Sequence, residues 1–225
     1  MHLYPLALVA GLLPLATINA TYLLSASFGH VAWCIPYLDS CTSISATGRY
    51  PPAYFVFKGA MIPAAVILMA YWLLNVHWLK QLGCCHKNWQ RALTLLGIAA
   101  GSGLIVYAVL LGSIPPEYRV PRHTGVIAFF GFSFFAQLLI TWLIDQRPPM
   151  GSHYSGHLRW LKILLSLDMV LGLATVIAGF VIPDLYSQID NAVAWNFTLL
   201  LCLHIMLTAD LWRRTDFRFN FSAKP

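Results

Sequence analysis

Charge is what this sequence has least of. Asp, Glu, Lys and Arg make up 10% of its residues, where a soluble domain carries roughly 25%. So few ionic groups cannot cover a water-facing surface, which excludes the soluble classes. Acids are scarcer still, eight Asp and Glu against fourteen Lys and Arg. A net charge of +6 would suit nucleic acid if the basic residues were clustered. They lie scattered at the ends of apolar runs instead, so no nucleic-acid partner is expected. The sequence also lacks a G-x-S-x-G nucleophile elbow, an internal repeat, a heptad run and any low-complexity segment. Cys84, Cys85 and His86, with His77 nearby, carry no C-x-x-C or H-x-x-x-H pair beside them. They read as juxtamembrane thiols open to palmitoylation or as ordinary reduced cysteines, and neither a metal nor a cofactor is expected.

What is present is apolar length. Hydrophobic residues make up 59% of the chain and the mean hydropathy is +0.68. A bilayer core needs about 20 apolar residues per helix. Six stretches meet that length, Leu3 to Leu24, Phe57 to Leu79, Ala92 to Leu111, Thr124 to Ile144, Leu161 to Ile182 and Ala192 to Leu211. The expected fold is therefore all-α, a six-helix transmembrane bundle in one domain over residues 1–225, with a long first outer loop. The first run has no Lys or Arg ahead of it and stays apolar through Tyr22-Leu23-Leu24, too long for a signal core, so it is read as a helix.

With both termini inside, ten basic residues fall on the cytoplasmic side, among them Lys80, Lys87, Arg91, Arg213 and Arg214. Only Arg49, Lys58, Arg119 and Arg122 fall outside. That asymmetry follows the positive-inside rule and places the Cys34 to Tyr54 loop in the lumen, the periplasm or the exterior. Gly97, Gly101 and Gly103 give the third span a small-residue face for close helix packing. The N-x-S/T matches at Asn19 and Asn196 lie at membrane depth and that at Asn220 in the inner tail, so none reads as a glycosylation site.

Three groups of residues can carry chemistry. Cys34 and Cys41 are close enough in the loop to form a disulfide ring in an oxidising compartment, or to remain two buried thiols. Ser43, Ser45, Arg49 and Tyr54 from the long loop meet the same membrane face as Glu117, Arg119, Arg122 and His123. A histidine and hydroxyls at the bilayer edge suit acyl transfer, with His123 as general base, Ser43 and Ser45 as catalytic hydroxyls, and Arg49, Tyr54, Arg119 and Arg122 holding a lipid headgroup. The structural alternative is that the hydroxyls end helices and the arginines snorkel to headgroups. The third group is an intramembrane polar layer. Asp168, Gln137 and His204 each lie seven residues in from the inner end of their own spans. An aspartate there costs about 2.5–3.5 kcal/mol on insertion scales. The layer is either a proton-linked or headgroup site, or a hydrogen-bonded packing layer that fixes helix register.

Cys34, Pro36, Tyr37, Leu38, the run Ser43-Ile44-Ser45-Ala46, Gly48, Pro51, Tyr54, Gly59, Pro63 and Tyr71-Trp72 form a block that resembles the Frag/DRAM/Sfk family of six-span membrane proteins. His123 ahead of the aromatic fourth span, Ala194-Trp195, His204, Trp212 and Asp216-Phe217 extend the resemblance over nearly the whole chain. The resemblance implies lipid handling, and is strongest to the branch linked to fatty-acid remodelling of GPI anchors. Its implied partners are a membrane lipid or glycolipid and, for a member without catalysis, a protein. Two classes of function stay open: a membrane-bound acyltransferase, and a non-catalytic adaptor or regulator of lipid distribution.

Overall fold

The computed structural model describes residues 2–83, 86–112, 118–147 and 153–218. Cys84, Cys85, Glu117 and Asn220 lie outside them. The described residues form eight helices and no strand, only an isolated bridge between His2 and Arg218. Six helices are long and apolar enough to cross a membrane: α1 (Tyr4–Ser27), α4 (Ala53–Gln81), α5 (Lys87–Val109), α6 (Arg119–Asp145), α7 (Ser155–Val181) and α8 (Pro183–Arg214). Two short helices, α2 (Pro36–Asp39) and α3 (Ile44–Thr47), sit in the connection between α1 and α4.

The long helices pack as a ring. α1 lies against α4 and α8, α4 against α5, α5 against α6 and α7 against α8, and a lighter α6–α7 contact closes the circuit. Glycine decides how closely α5 approaches its neighbours. A Cβ on Gly97 would run into the Trp72 side chain of α4, and one on Gly101 into Met69. A Cβ on Gly103 would lie 2.7 Å from the Gly125 carbonyl of α6. The small-residue face is thus spent inside the chain, on two neighbours at once. Pro5 sits in the first turn of α1, where the missing N–H has no helical partner to lose, whereas Pro14 and Pro63 lie inside their helices.

The helices overrun their apolar windows, and this corrects the sequence boundaries where it matters. Tyr54 belongs to α4 and not to a loop; Arg119, Arg122 and His123 belong to α6 and not to the connection before it. Residues 183–191, which the expected boundaries leave between spans five and six, are helical, and Ile182 alone separates α7 from α8. Hydropathy windows end where polar residues begin, but backbone hydrogen bonding continues past that depth, and Pro183 is well suited to a first helical turn.

The two ends of the ring differ. At the terminal end the chain termini meet, with Leu3 N–H donating to the Phe217 carbonyl at 3.4 Å. Tyr71, Trp72, Trp78 and Trp212 are buried there. Asn75 ties them, accepting from Trp212 Nε1 at 3.1 Å and donating to the Tyr71 carbonyl at 3.1 Å. The other end is covered by the α2–α3 connection.

Candidate functional site: a capped amphipathic cavity

The cap is held by the helices beneath it. Cys34 and Cys41 are joined as a disulfide that encircles α2. The Tyr22 phenol of α1 accepts from Cys34 N–H at 2.8 Å and donates to the Cys34 carbonyl at 2.6 Å. From α8, Asn191 Nδ2 donates to the Ser40 carbonyl at 3.1 Å, Trp195 Nε1 to the Thr42 carbonyl at 2.9 Å and Asn196 Nδ2 to the Tyr37 carbonyl at 2.7 Å. The Tyr37 phenol contacts Asn19 of α1 at 3.0 Å. Burial pushes that phenol above its ordinary range, although the Asn19 contact works against the shift. Asn19 and Asn196, the two membrane-depth N-x-S/T matches, therefore serve as cap anchors.

Beneath the cap lies a cavity of about 290 Å³. Its polar mouth carries Ser43 and Ser45 from the cap, Arg122 and His123 from α6, and Tyr186, Asp190 and Asn191 from α8. Its deeper wall is apolar, with Ile18, Met61, Leu104, Val126, Phe129 and Phe130 among the lining residues. Helical spacing produces this arrangement on both sides. His123, Val126 and Phe130 fall on one face of α6, and Tyr186, Asp190, Ala194 and Thr198 step by four along α8. The helical extensions at the starts of α6 and α8 put ionic groups above the apolar wall.

Four of the residues proposed from sequence, Ser43, Ser45, Arg122 and His123, line this cavity. The other three do not. Arg49 is half-buried just after α3, within electrostatic reach of Tyr107. Tyr54 accepts a 2.7 Å hydrogen bond from Lys58, whose ammonium also donates to the Val109 carbonyl at 2.8 Å and so caps the end of α5. Arg119 is exposed at the start of α6, off the cavity. The serine hydroxyls are already engaged. Ser43 Oγ caps α3 by accepting from Ala46 N–H at 3.1 Å, and lies 3.1 Å from Ser45 Oγ, which sits beside the Tyr107 phenol. No hydrogen bond joins His123 to either serine among the described residues.

The intramembrane layer lies apart from the cavity lining. Gln137 Nε2 donates to the Leu201 carbonyl at 2.9 Å, and His204 Nε2 lies 2.9 Å from Thr141 Oγ1, so the layer joins α6 to α8. Asp168 of α7 is 1% exposed, and neither of its carboxylate oxygens has a hydrogen-bond partner among the described residues. No group of His, Cys, Asp and Glu among the described residues is arranged to hold a metal ion.

Sequence reasoning missed Tyr107, Tyr186, Asp190 and Asn191. The signal for Tyr186 and Asp190 was the four-residue step that runs on to Ala194 and Thr198 and continues the face of the sixth span into the segment before it.

The profile of the Frag1/DRAM/Sfk1/Cwh43P N-terminal domain matches residues 2–213. The chain belongs to that family. It is a six-span integral membrane protein, and the matched region takes in the cap, both walls of the cavity and the polar layer. Neither a curated protein nor a solved structure matches it.

Proposed function

We propose that the protein takes a membrane lipid into the capped cavity, acyl chain against the α1–α4–α5–α6 wall and headgroup among the polar residues of the mouth. One observation carries this reading: a single cavity with Arg122, His123 and Asp190 at its rim and Ile18, Leu104, Val126 and Phe130 below them. A water-soluble ligand has no use for that wall, and a wholly apolar one has no use for that rim. The charge asymmetry of the sequence supports placing the capped end outside, with both termini in the cytoplasm.

The family and the site chemistry together favour remodelling of the fatty acids of a GPI-type glycolipid. In that reaction the free hydroxyl of a lyso-lipid attacks the acyl ester carbonyl of a donor lipid. His123 removes the hydroxyl proton and returns it to the departing alkoxide, and Arg122 faces the anionic headgroup. The serines serve better as cap and wall than as nucleophiles, because Ser43 Oγ is held by Ala46 N–H. The same engagement of both serines favours the second reading, a non-catalytic protein that holds a lipid or biases its distribution between leaflets.

Purified full-length protein in nanodiscs, given a lyso-glycolipid and a donor with an isotope-labelled acyl chain, separates the two. Transfer of label that is lost in His123→Ala, with lipid binding retained, establishes the acyltransferase. Binding without transfer establishes the second reading. Binding that is unaffected when Ala194→Trp fills the cavity refutes both.

A further inference from the structure

Among the described residues Asp190 is the one carboxylate lining the cavity, and it shares that lining with Arg122 and His123 without pairing with either. No ion pair or hydrogen bond links Asp190 to Arg122 or His123 among the described residues. Its side-chain hydrogen bond among the described residues is local: Asn191 N–H donates to Oδ1 at 2.7 Å. The other carboxylate oxygen is left for something else.

Ordinary structural duties do not explain the residue. An acid serves a helix dipole only within the first turn. α8 starts at Pro183, and Asp184 already occupies that turn. Asp190 lies two turns in, on the face that continues through Ala194 and Thr198 into the cavity. A wholly anionic headgroup drawn to Arg122 would also meet Asp190, and the repulsion would cancel part of the attraction. Opposite charges that line one cavity and stay apart fit a ligand that carries both signs itself. Tyr186, one turn before Asp190, adds an aromatic ring to the same rim, and tyrosine rings attract ammonium and quaternary ammonium groups.

The geometry points to a phospholipid headgroup that bears an ammonium group, its phosphate lying against Arg122 and His123 and its ammonium between Asp190 and Tyr186. This rests on the lipid-binding reading above and adds a headgroup class to it. Acyl chains common to many lipids enter the apolar wall, and Asp190 discriminates among their headgroups.

The test is competitive binding by native mass spectrometry. The full chain is released from micelles containing chain-matched phosphatidylethanolamine, phosphatidylcholine and phosphatidylglycerol. The first two are expected to be retained about tenfold more than phosphatidylglycerol, the scale of one charge-assisted contact. Asp190→Asn keeps the size of the side chain and an oxygen for Asn191 N–H. It is expected to bring the three lipids within about twofold of one another. Arg122→Gln is expected to weaken all three alike. A preference that survives Asp190→Asn, or a wild type that favours phosphatidylglycerol, overturns the headgroup assignment while leaving a lipid cavity standing. Lipid retention indifferent to both headgroup and Ala194→Trp overturns the cavity reading as well.

Discussion

The terminal end and the capped end of this bundle solve the same problem differently. Both must close a ring of apolar helices at a membrane surface. The terminal end closes it with bulk: Tyr71, Trp72, Trp78 and Trp212 are each 1% exposed or less, and Trp212 stacks on Tyr71 with ring centroids 5.5 Å apart. The capped end closes it with directed bonds from Tyr22, Asn191, Trp195 and Asn196 to the cap backbone, leaving space underneath. Aromatic bulk fills volume, whereas hydrogen bonds span it. An end built to admit a ligand needs the second solution, and this contrast is the structural basis for placing function there.

The contrast breaks most sharply under truncation. Trp212→Ala at the terminal end removes a fully buried ring and leaves Asn75 Oδ1 without its donor. It is expected to cost about 3–5 kcal/mol in denaturant unfolding of the micelle-solubilised protein. Phe130→Ala on the half-buried cavity wall is expected to cost about 1 kcal/mol, because that ring already borders open space. Equal losses at the two sites would mean that the cavity is packed shut.

Removing the disulfide tests the cap itself. Cys34→Ser with Cys41→Ser is expected to cost about 2 kcal/mol for so short a loop. Hydrogen exchange should quicken over residues 35–47 and stay unchanged around Trp78 and Trp212. Trp195→Phe keeps the ring packing against Tyr37 and removes the donor to the Thr42 carbonyl. Its expected cost is about 1 kcal/mol, seen as faster exchange confined to the cap.

The smallest effect belongs to the polar layer between the two ends. Thr141→Val deletes the hydroxyl beside His204. Hydrogen bonds between membrane helices average about 0.6 kcal/mol, because the separated helices find other partners. A loss near that value with lipid binding intact assigns this pair to packing. Abolished lipid binding at unchanged stability would tie the layer to the site.

Most of the architecture was legible because it depends on length and composition. Six apolar runs of membrane-spanning length read directly as six helices, and Gly97, Gly101 and Gly103 announced a close helix contact without saying against what. The structure supplies the neighbours, Trp72 and Met69 on one side and Gly125 on the other. Part of the site was legible too, since Ser43, Ser45, Arg122 and His123 are polar residues at the edge of apolar runs. Asp190 was not. The segment Pro183-Asp184 through Asp190-Asn191 falls between the fifth and sixth apolar runs, and only its register with Ala194 and Thr198 shows that it carries a helix face into the mouth. Tyr54 differs in the opposite sense: the sequence groups it with the headgroup residues, and the structure sets it off the cavity lining, engaged with Lys58 at the end of α5. Proximity in sequence to a site does not decide which way a helix turns its residues.

A capped cavity that holds a lipid chain brings that chain against its apolar wall. A phospholipid with a photoreactive group near the end of one acyl chain, incorporated with the full chain into nanodiscs, tests it most directly. After illumination and peptide mapping, adducts are expected on Leu104, Val126 and Phe130 and are expected to disappear in Ala194→Trp. Adducts on the outward face of α7, where Phe180 is 86% exposed, should persist in both proteins. Adducts confined to such outward residues, and identical in wild type and Ala194→Trp, would contradict it.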